Sequence, residues 1–143
     1  MSEHSISIVA VPFIEIIWDE VAPHVKRVVD VSNGELTLEG VKQSLLDGKA
    51  LLVTISVGSR IVAVNTFELR ILSSGVRTLY IPITGGSELF AWKDDILALA
   101  IKVAKLFQCT EIRGVSVRDG WMDILGPMGW KTVHQVIKYD VGE

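Results

Sequence analysis

The 143-residue chain has a single cysteine, Cys109, so no disulfide can form within it, and a reducing compartment suits it. Its three histidines, His4, His24 and His134, lie far apart without ligand spacing, so no metal site is expected. Charge of one sign is missing too. Fourteen basic and 17 acidic residues are interspersed to a net charge of -3, which leaves no basic field for a phosphate backbone and excludes nucleic acid as the main ligand. The most apolar N-terminal stretch, ISIVAVPFIEII, is broken by Glu15 and preceded by Glu3 rather than a basic cluster. That pattern argues for a core strand, and against a signal peptide or membrane span, and the expected location is the cytoplasm. No repeat, linker or low-complexity segment interrupts the chain, so one domain over 1–143 is expected.

What is present is a dense apolar pattern: 49% hydrophobic residues against 22% charged, enough for a folded core. Alternating Ile and Val predict a first strand over residues 5–11. A helix follows with Trp18, Val21, Val25 and Val28 at three-and-four spacing; because Pro23 belongs in a first turn, its regular part is expected to start near Asp19. Asn33-Gly34 turns the chain, and Thr37 is a good N-cap for a short helix that stops at Gly48. Three strands then form a meander over 51–57, 60–71 and 77–84, with Gly58-Ser59 as the first hairpin turn. A helix over 89–107, whose apolar stripe includes Trp92, Ile96 and Val103, should be deeply buried. A strand over 111–118, a short helix over 120–125 and a final strand over 131–141 complete the reading.

This order of elements resembles the GNAT superfamily of N-acetyltransferases over nearly the whole chain. AIKVAKLFQCTEIRGVSV is similar to that family's central helix and fifth strand, and ILGPMGWKTVHQVIKY to its ending, where the pair Gly129-Trp130 opens the last strands. The expected class is therefore α/β (α+β), a mixed twisted sheet with a long helix packed across it. Within the superfamily, the spacing of Trp18, Thr37, Gly85-Gly86, Trp92, Cys109, RDGW and LGPMGW resembles small proteins of tailed bacteriophages, which would place the chain in a host cytoplasm or a virion.

The resemblance also sets out what an enzyme would need. The family holds the acetyl-CoA pyrophosphate on backbone N–H groups of a glycine-containing turn at the start of the long helix, because a side chain there would keep the backbone away from the phosphates. Here that turn falls on residues 87–92, which contain no glycine and no basic residue, and Glu88 brings negative charge. Gly85, Gly86 and Ser87 are the candidates for an alternative cradle, or else a plain strand-to-helix turn. The tyrosine that protonates the departing thiolate in the family is replaced by Leu125. Glu68 remains a candidate base and Tyr80 a candidate acid, each with an ordinary reading as a sheet residue. Arg118, Asp119 and Trp121 are candidate ligand or partner contacts near a cleft between splayed strands, Arg118 through an anion or carboxylate. Taken together, these departures lead to the expectation of a non-catalytic protein with no cofactor. It would act through protein contacts, with itself as a homo-oligomer, with phage-particle components or with a host protein. The alternative is an acetyl-CoA-dependent N-acetyltransferase with an atypical cofactor loop.

Overall fold

Strand-forming Val, Ile and Thr at period two build a five-stranded sheet in the computed structural model, which describes residues 3–115 and 120–142. In chain order the elements are β1 (His4–Val9), α1 (Val11–Asp30), α2 (Leu38–Leu46), β2 (Leu51–Val57), β3 (Arg60–Ile71), β4 (Arg77–Gly86), α3 (Leu89–Leu106), β5 (Glu111–Gly114) and α4 (Trp121–Leu125), the last running into one 3-10 turn at Gly126–Met128. The spatial order is β1-β2-β3-β4-β5, antiparallel through β4 and parallel between β4 and β5. The mixed sheet with a long helix across it is the predicted architecture.

Each face of the sheet carries its own core. On one side Trp92, Ile96, Ala100, Val103 and Ala104 of α3 pack on Val53, Ile55, Phe67, Leu79 and Ile81. On the other, Ile14, Trp18, Val21, Val25 and Val28 of α1, joined by Val41 and Leu45 of α2, cover Leu52, Val64 and Ile83. Helical periodicity on α1 and α3 and alternation on β2 to β4 thus meet in two apolar layers. Several elements form where local chemistry favours them. The Thr37 hydroxyl accepts the Gly40 N–H at 3.0 Å to start α2, and Gly58, at a φ of 61°, makes the tight β2–β3 turn.

Two expectations are corrected. Helix α1 begins at Val11, with Pro12 in its first turn and Pro23 inside it. The N–H that Pro23 lacks is one backbone bond, and the five apolar side chains that α1 buries outweigh it. β5 covers Glu111–Gly114, and residues 116–118 of the strand expected over 111–118 lie outside the described residues. Residues 131–141 form no strand: they run beyond the 3-10 turn with no ladder partner among the described residues, and alternation alone does not make a strand without a neighbouring edge to accept its hydrogen bonds.

Trp92 joins α3 to the sheet. It is 2% exposed, and its Nε1 donates to the Ser87 carbonyl at 2.8 Å, so the indole fills the core and satisfies the end of β4 at once. Replacing Trp92 by Ala is expected to lower stability by about 3–5 kcal/mol, the range for deleting a large buried aromatic. Urea unfolding checks this, and a change below about 1 kcal/mol would count against a core role.

Candidate functional site

The site originates in a count. Thr66 of β3 faces Ile83 of β4, yet Glu68 faces Tyr80, so β4 spends two residues, Ile81 and Pro82, where β3 spends only Phe67. This is a β-bulge, and a proline sits in it at little cost because a bulged residue is already out of the regular ladder. β5 pairs with β4 only from Thr78 to Ile81, the last bond being the Val115 N–H to the Ile81 carbonyl at 3.3 Å. Among the described residues, β4 beyond Ile81 therefore has no partner strand on its β5 side.

On the α1–α2 face, next to the bulge, lies a cavity of about 220 Å³. Thr66, Glu68 and Arg70 of β3 and Pro82 and Ile83 of β4 line its floor, and residues 35–37 with Ser44 of α2 line its wall. The wall is held in shape. Ser32 Oγ donates to the Val29 carbonyl at 2.8 Å and accepts the Leu36 N–H at 3.2 Å, fixing the link between the two helices. The floor is polar and partly unsatisfied: the Thr66 hydroxyl is buried and, among the described residues, has no hydrogen-bond partner. A buried donor and acceptor without a partner, set in a cavity wall, is a place for a polar ligand group.

Charges continue from the cavity across the sheet. Arg70 donates to the Glu68 carboxylate at 3.2 Å and stacks its guanidinium over the Tyr80 ring at 3.7 Å. Further along, Glu111 accepts from the Thr78 hydroxyl at 2.8 Å and from Arg113 at 2.9 Å. The Thr78 hydrogen bond and the Arg113 guanidinium hold the Glu111 carboxyl below its ordinary value, so this pair is ionised at neutral pH. The structure thus brings Glu68 and Tyr80 together, as cross-strand partners bridged by Arg70. Sequence reading passed over Thr66 and Arg70, although Arg70 stands two residues from Glu68, the spacing that puts two side chains on one face of a strand.

The other candidates lie elsewhere. Gly85 and Gly86 are the last residues of β4, and both are glycine because of close backbone approach. A Cβ on Gly85 would stand 2.3 Å from the His24 carbonyl of α1, and one on Gly86, where φ is 126°, would stand 2.4 Å from the Ala63 Cα of β3. The Ser87 N–H donates to the Val62 carbonyl at 3.0 Å. After it, Glu88 enters α3 in the left-handed conformation without capping the helix through its side chain. The N–H groups of Leu89 and Phe90, at the positive end of the helix, have no acceptor among the described residues. Lys93, the nearest cation along α3, pairs with Asp94 at 3.2 Å and lies over the Phe90 ring. Trp121 opens α4, half-buried. Arg118 and Asp119 lie outside the described residues. Among the described residues no cluster of three metal-ligating side chains occurs, and no helix is long and apolar enough to cross a membrane.

No protein-family model and no curated protein sequence matches the chain. Solved structures do. A predicted acetyltransferase with acetyl-CoA from Clostridium acetobutylicum superposes with a TM-score of 0.68 at 12% identity, over 97% of each chain. A ribosomal-protein-alanine N-acetyltransferase from Brucella melitensis biovar Abortus 2308 gives 0.69 at 11% identity, over 98% of this chain and 100% of the other. An aminoglycoside acetyltransferase from an uncultured soil metagenomic sample, in complex with trehalose, gives 0.69 at 12%, over 98% and 96%. At such identities the likeness establishes a GNAT-like fold. It also corrects the expectation of a non-catalytic phage protein acting through protein contacts. The three structures just named are acetyltransferases, one of them with acetyl-CoA, and they give no support to the phage resemblance.

One titratable group is tied to the Gly85 contact. His24 donates from Nε2 to the Ile61 carbonyl at 3.1 Å, which leaves Nδ1 buried without a partner among the described residues. Burial lowers its pKa below the ordinary 6.5, with the Ile61 bond offsetting part of the effect. The folded state then binds fewer protons than the unfolded chain below pH 6.5, so stability is expected to fall as pH drops from 6.5 towards the lower folded value. Urea midpoints measured from pH 7.5 to 5 check this, and His24→Gln, which keeps an N–H donor, should flatten that part of the profile.

Proposed function

We propose that the protein is an N-acetyltransferase of the GNAT superfamily that uses acetyl-CoA through an atypical cofactor loop. The observation that carries this reading is the cavity with the Glu68 carboxylate in its floor, set beside the β4 bulge, in a fold shared with acetyltransferases.

The residues at the mouth of α3 fit the cofactor through backbone and not through side chains. The edge of β4 at 82–86, with no strand against it on the β5 side among the described residues, offers peptide groups to an extended thioester arm, and the Leu89 and Phe90 N–H groups offer donors and a dipole end to a diphosphate. Glu88 is the departure, since its carboxylate stands at that same helix end. When bound, acetyl-CoA would supply an acyl thioester, whose C–S bond is exchanged for an amide bond on the acceptor nitrogen.

The chain's own groups supply the rest. Glu35 and Glu68 on the cavity lining favour an acceptor that arrives as a cation, and a primary amine is the matching class. Glu68 takes the proton that the amine must lose before its lone pair can attack, directly or through one water. Arg70, hydrogen-bonded to Glu68 and stacked on Tyr80, holds that carboxylate in place. Leu125 has no proton to give, so the thiolate leaving group takes its proton from water.

Titration with acetyl-CoA tests the reading. At 100 times its dissociation constant the cofactor should stabilise the fold by about 2.7 kcal/mol in a thermal-shift series, and no shift at millimolar cofactor would overturn it. Glu88→Gln should tighten the cofactor about two- to fivefold, the effect expected from removing a carboxylate at a helix N-terminus that receives an anion. Glu68→Gln should bind acetyl-CoA as the unaltered chain does while losing about 10²- to 10⁴-fold in turnover with an amine acceptor.

A further inference from the structure

Charge along the chain is segregated, although its sum is only -3. Segments 48–67, 69–87 and 96–110 hold no acidic residue, yet they carry Lys49, Arg60, Arg70, Arg77, Lys102 and Lys105. Three of the flanking acids are engaged: Asp47 accepts from Gln43 at 2.8 Å, Glu68 pairs with Arg70 and Glu111 with Arg113. The others, Glu88, Asp94 and Asp95, stand at the opposite end of α3.

The fold gathers these segments where α3 ends. Arg77 pairs with Ile71 across β3 and β4, and its guanidinium donates to the Phe107 carbonyl at 2.8 Å, so the C-terminal end of the helix lies on the end of that hairpin. Leu69 pairs with Leu79, a member of the α3-side core, which puts Leu69, Ile71 and Arg77 on the α3 face. β2 begins only at Leu51, opposite Phe67, with Lys49 just before it, so among the described residues no strand lies beside Leu69 and Ile71 on that side. Lys102 and Leu106 turn towards the same edge: they follow Asp95 by roughly two and three helical turns, and Asp95 meets His4 of β1 at 2.8 Å.

This end is apolar and faces outward. Leu106 is 77% exposed and Ile71 62%, and Leu69, Val76 and Phe107 are exposed beside them. Lys49, Lys102 and Lys105 are exposed as well, and among the described residues none of them meets a carboxylate. The helix dipole accounts for lysines in the last turns of α3. It does not account for large apolar side chains held in water among them.

We propose that this end of the molecule docks on an anionic membrane surface. Leu106, Ile71 and Leu69 enter the headgroup boundary, while Lys49, Arg77, Lys102 and Lys105 meet the lipid phosphates and carboxylates. Apolar tips within a cationic ring suit a protein that lies on a bilayer without spanning it. A second copy fits poorly, because a twofold contact centred here sets cations of one chain against the same cations of the other. The 18 residues of α3, roughly 27 Å of helix, separate the docking end from Glu88, so the mouth of α3 stays open to solvent. The inference does not rest on the catalytic reading.

Sedimentation of the full chain with phosphatidylcholine vesicles holding about 30% phosphatidylserine should carry the protein down, whereas pure phosphatidylcholine vesicles should leave it in solution. Raising salt from about 0.1 M to about 0.5 M should release it. Lys102→Gln and Lys105→Gln should each weaken the partition roughly fivefold. Leu106→Ser should weaken it about tenfold with the urea midpoint unchanged, since that side chain is already in water. No sedimentation with the anionic vesicles, equal sedimentation with both kinds, or binding indifferent to all three variants overturns the proposal. Binding to poly-glutamate as tight as to the vesicles and indifferent to Leu106→Ser would mean an acidic protein partner, and a dimer in light scattering that Leu106→Ser dissociates would mean a second copy. Either of those results overturns it too.

Discussion

One surplus residue in β4 governs the rest of the molecule. Because Ile81 and Pro82 together oppose Phe67, every β4 side chain beyond them changes face relative to an unbulged strand. Ile81 thereby points into the α3 core while Ile83 points into the α1 core, and Gly85 comes under α1. The same bulge carries Pro82, which with Ile83 lines the cavity on the α1–α2 face.

The division of labour between the two faces follows. The α3 side is closed by large apolar side chains, and two of its polar contacts are internal: the Thr84 hydroxyl donates to Asn65 Oδ1 at 2.7 Å, and the Trp92 indole to the Ser87 carbonyl. The α1–α2 side is closed only over the first part of the sheet. Beyond that, β3, β4 and β5 present Glu68, Arg70, Tyr80, Glu111 and Arg113, whose charges are mutually paired. An apolar half and a polar half next to each other let the Glu68 carboxylate lie on the sheet without entering the core.

The sequence made legible whatever depends on local periodicity and capping. α2 with Thr37, the β2–β3 hairpin at Gly58 and the buried stripe of α3 all stand where spacing put them. It misplaced the start of α1 because the proline rule is local and the burial of Ile14 and Trp18 is not. It made the tail a strand because alternation says which face would be buried and nothing about whether an edge is there to pair with it. The cavity was illegible for another reason. Ser44, Glu68 and Pro82 are distant in sequence and ordinary in type, and only the packing of α2 over β3 and the bulged β4 brings them round one space. The Gly85-Gly86 pair carried a real signal of close approach, but sequence does not say what approaches; at Gly85 it is the backbone of α1.

That last contact has a mechanical meaning. Where two side chains touch, a rotamer can yield; where the backbone of a helix lies on the backbone of a strand, at Gly85 and the His24 carbonyl, the spacing is fixed by atoms that have no torsion of their own to relax. The α1 layer therefore has a hard stop and low compressibility at one point. Its C-terminal end leads through Ser32 to residues 35–37, so the height of the cavity wall over the floor on β3 and β4 is set in part by that single contact.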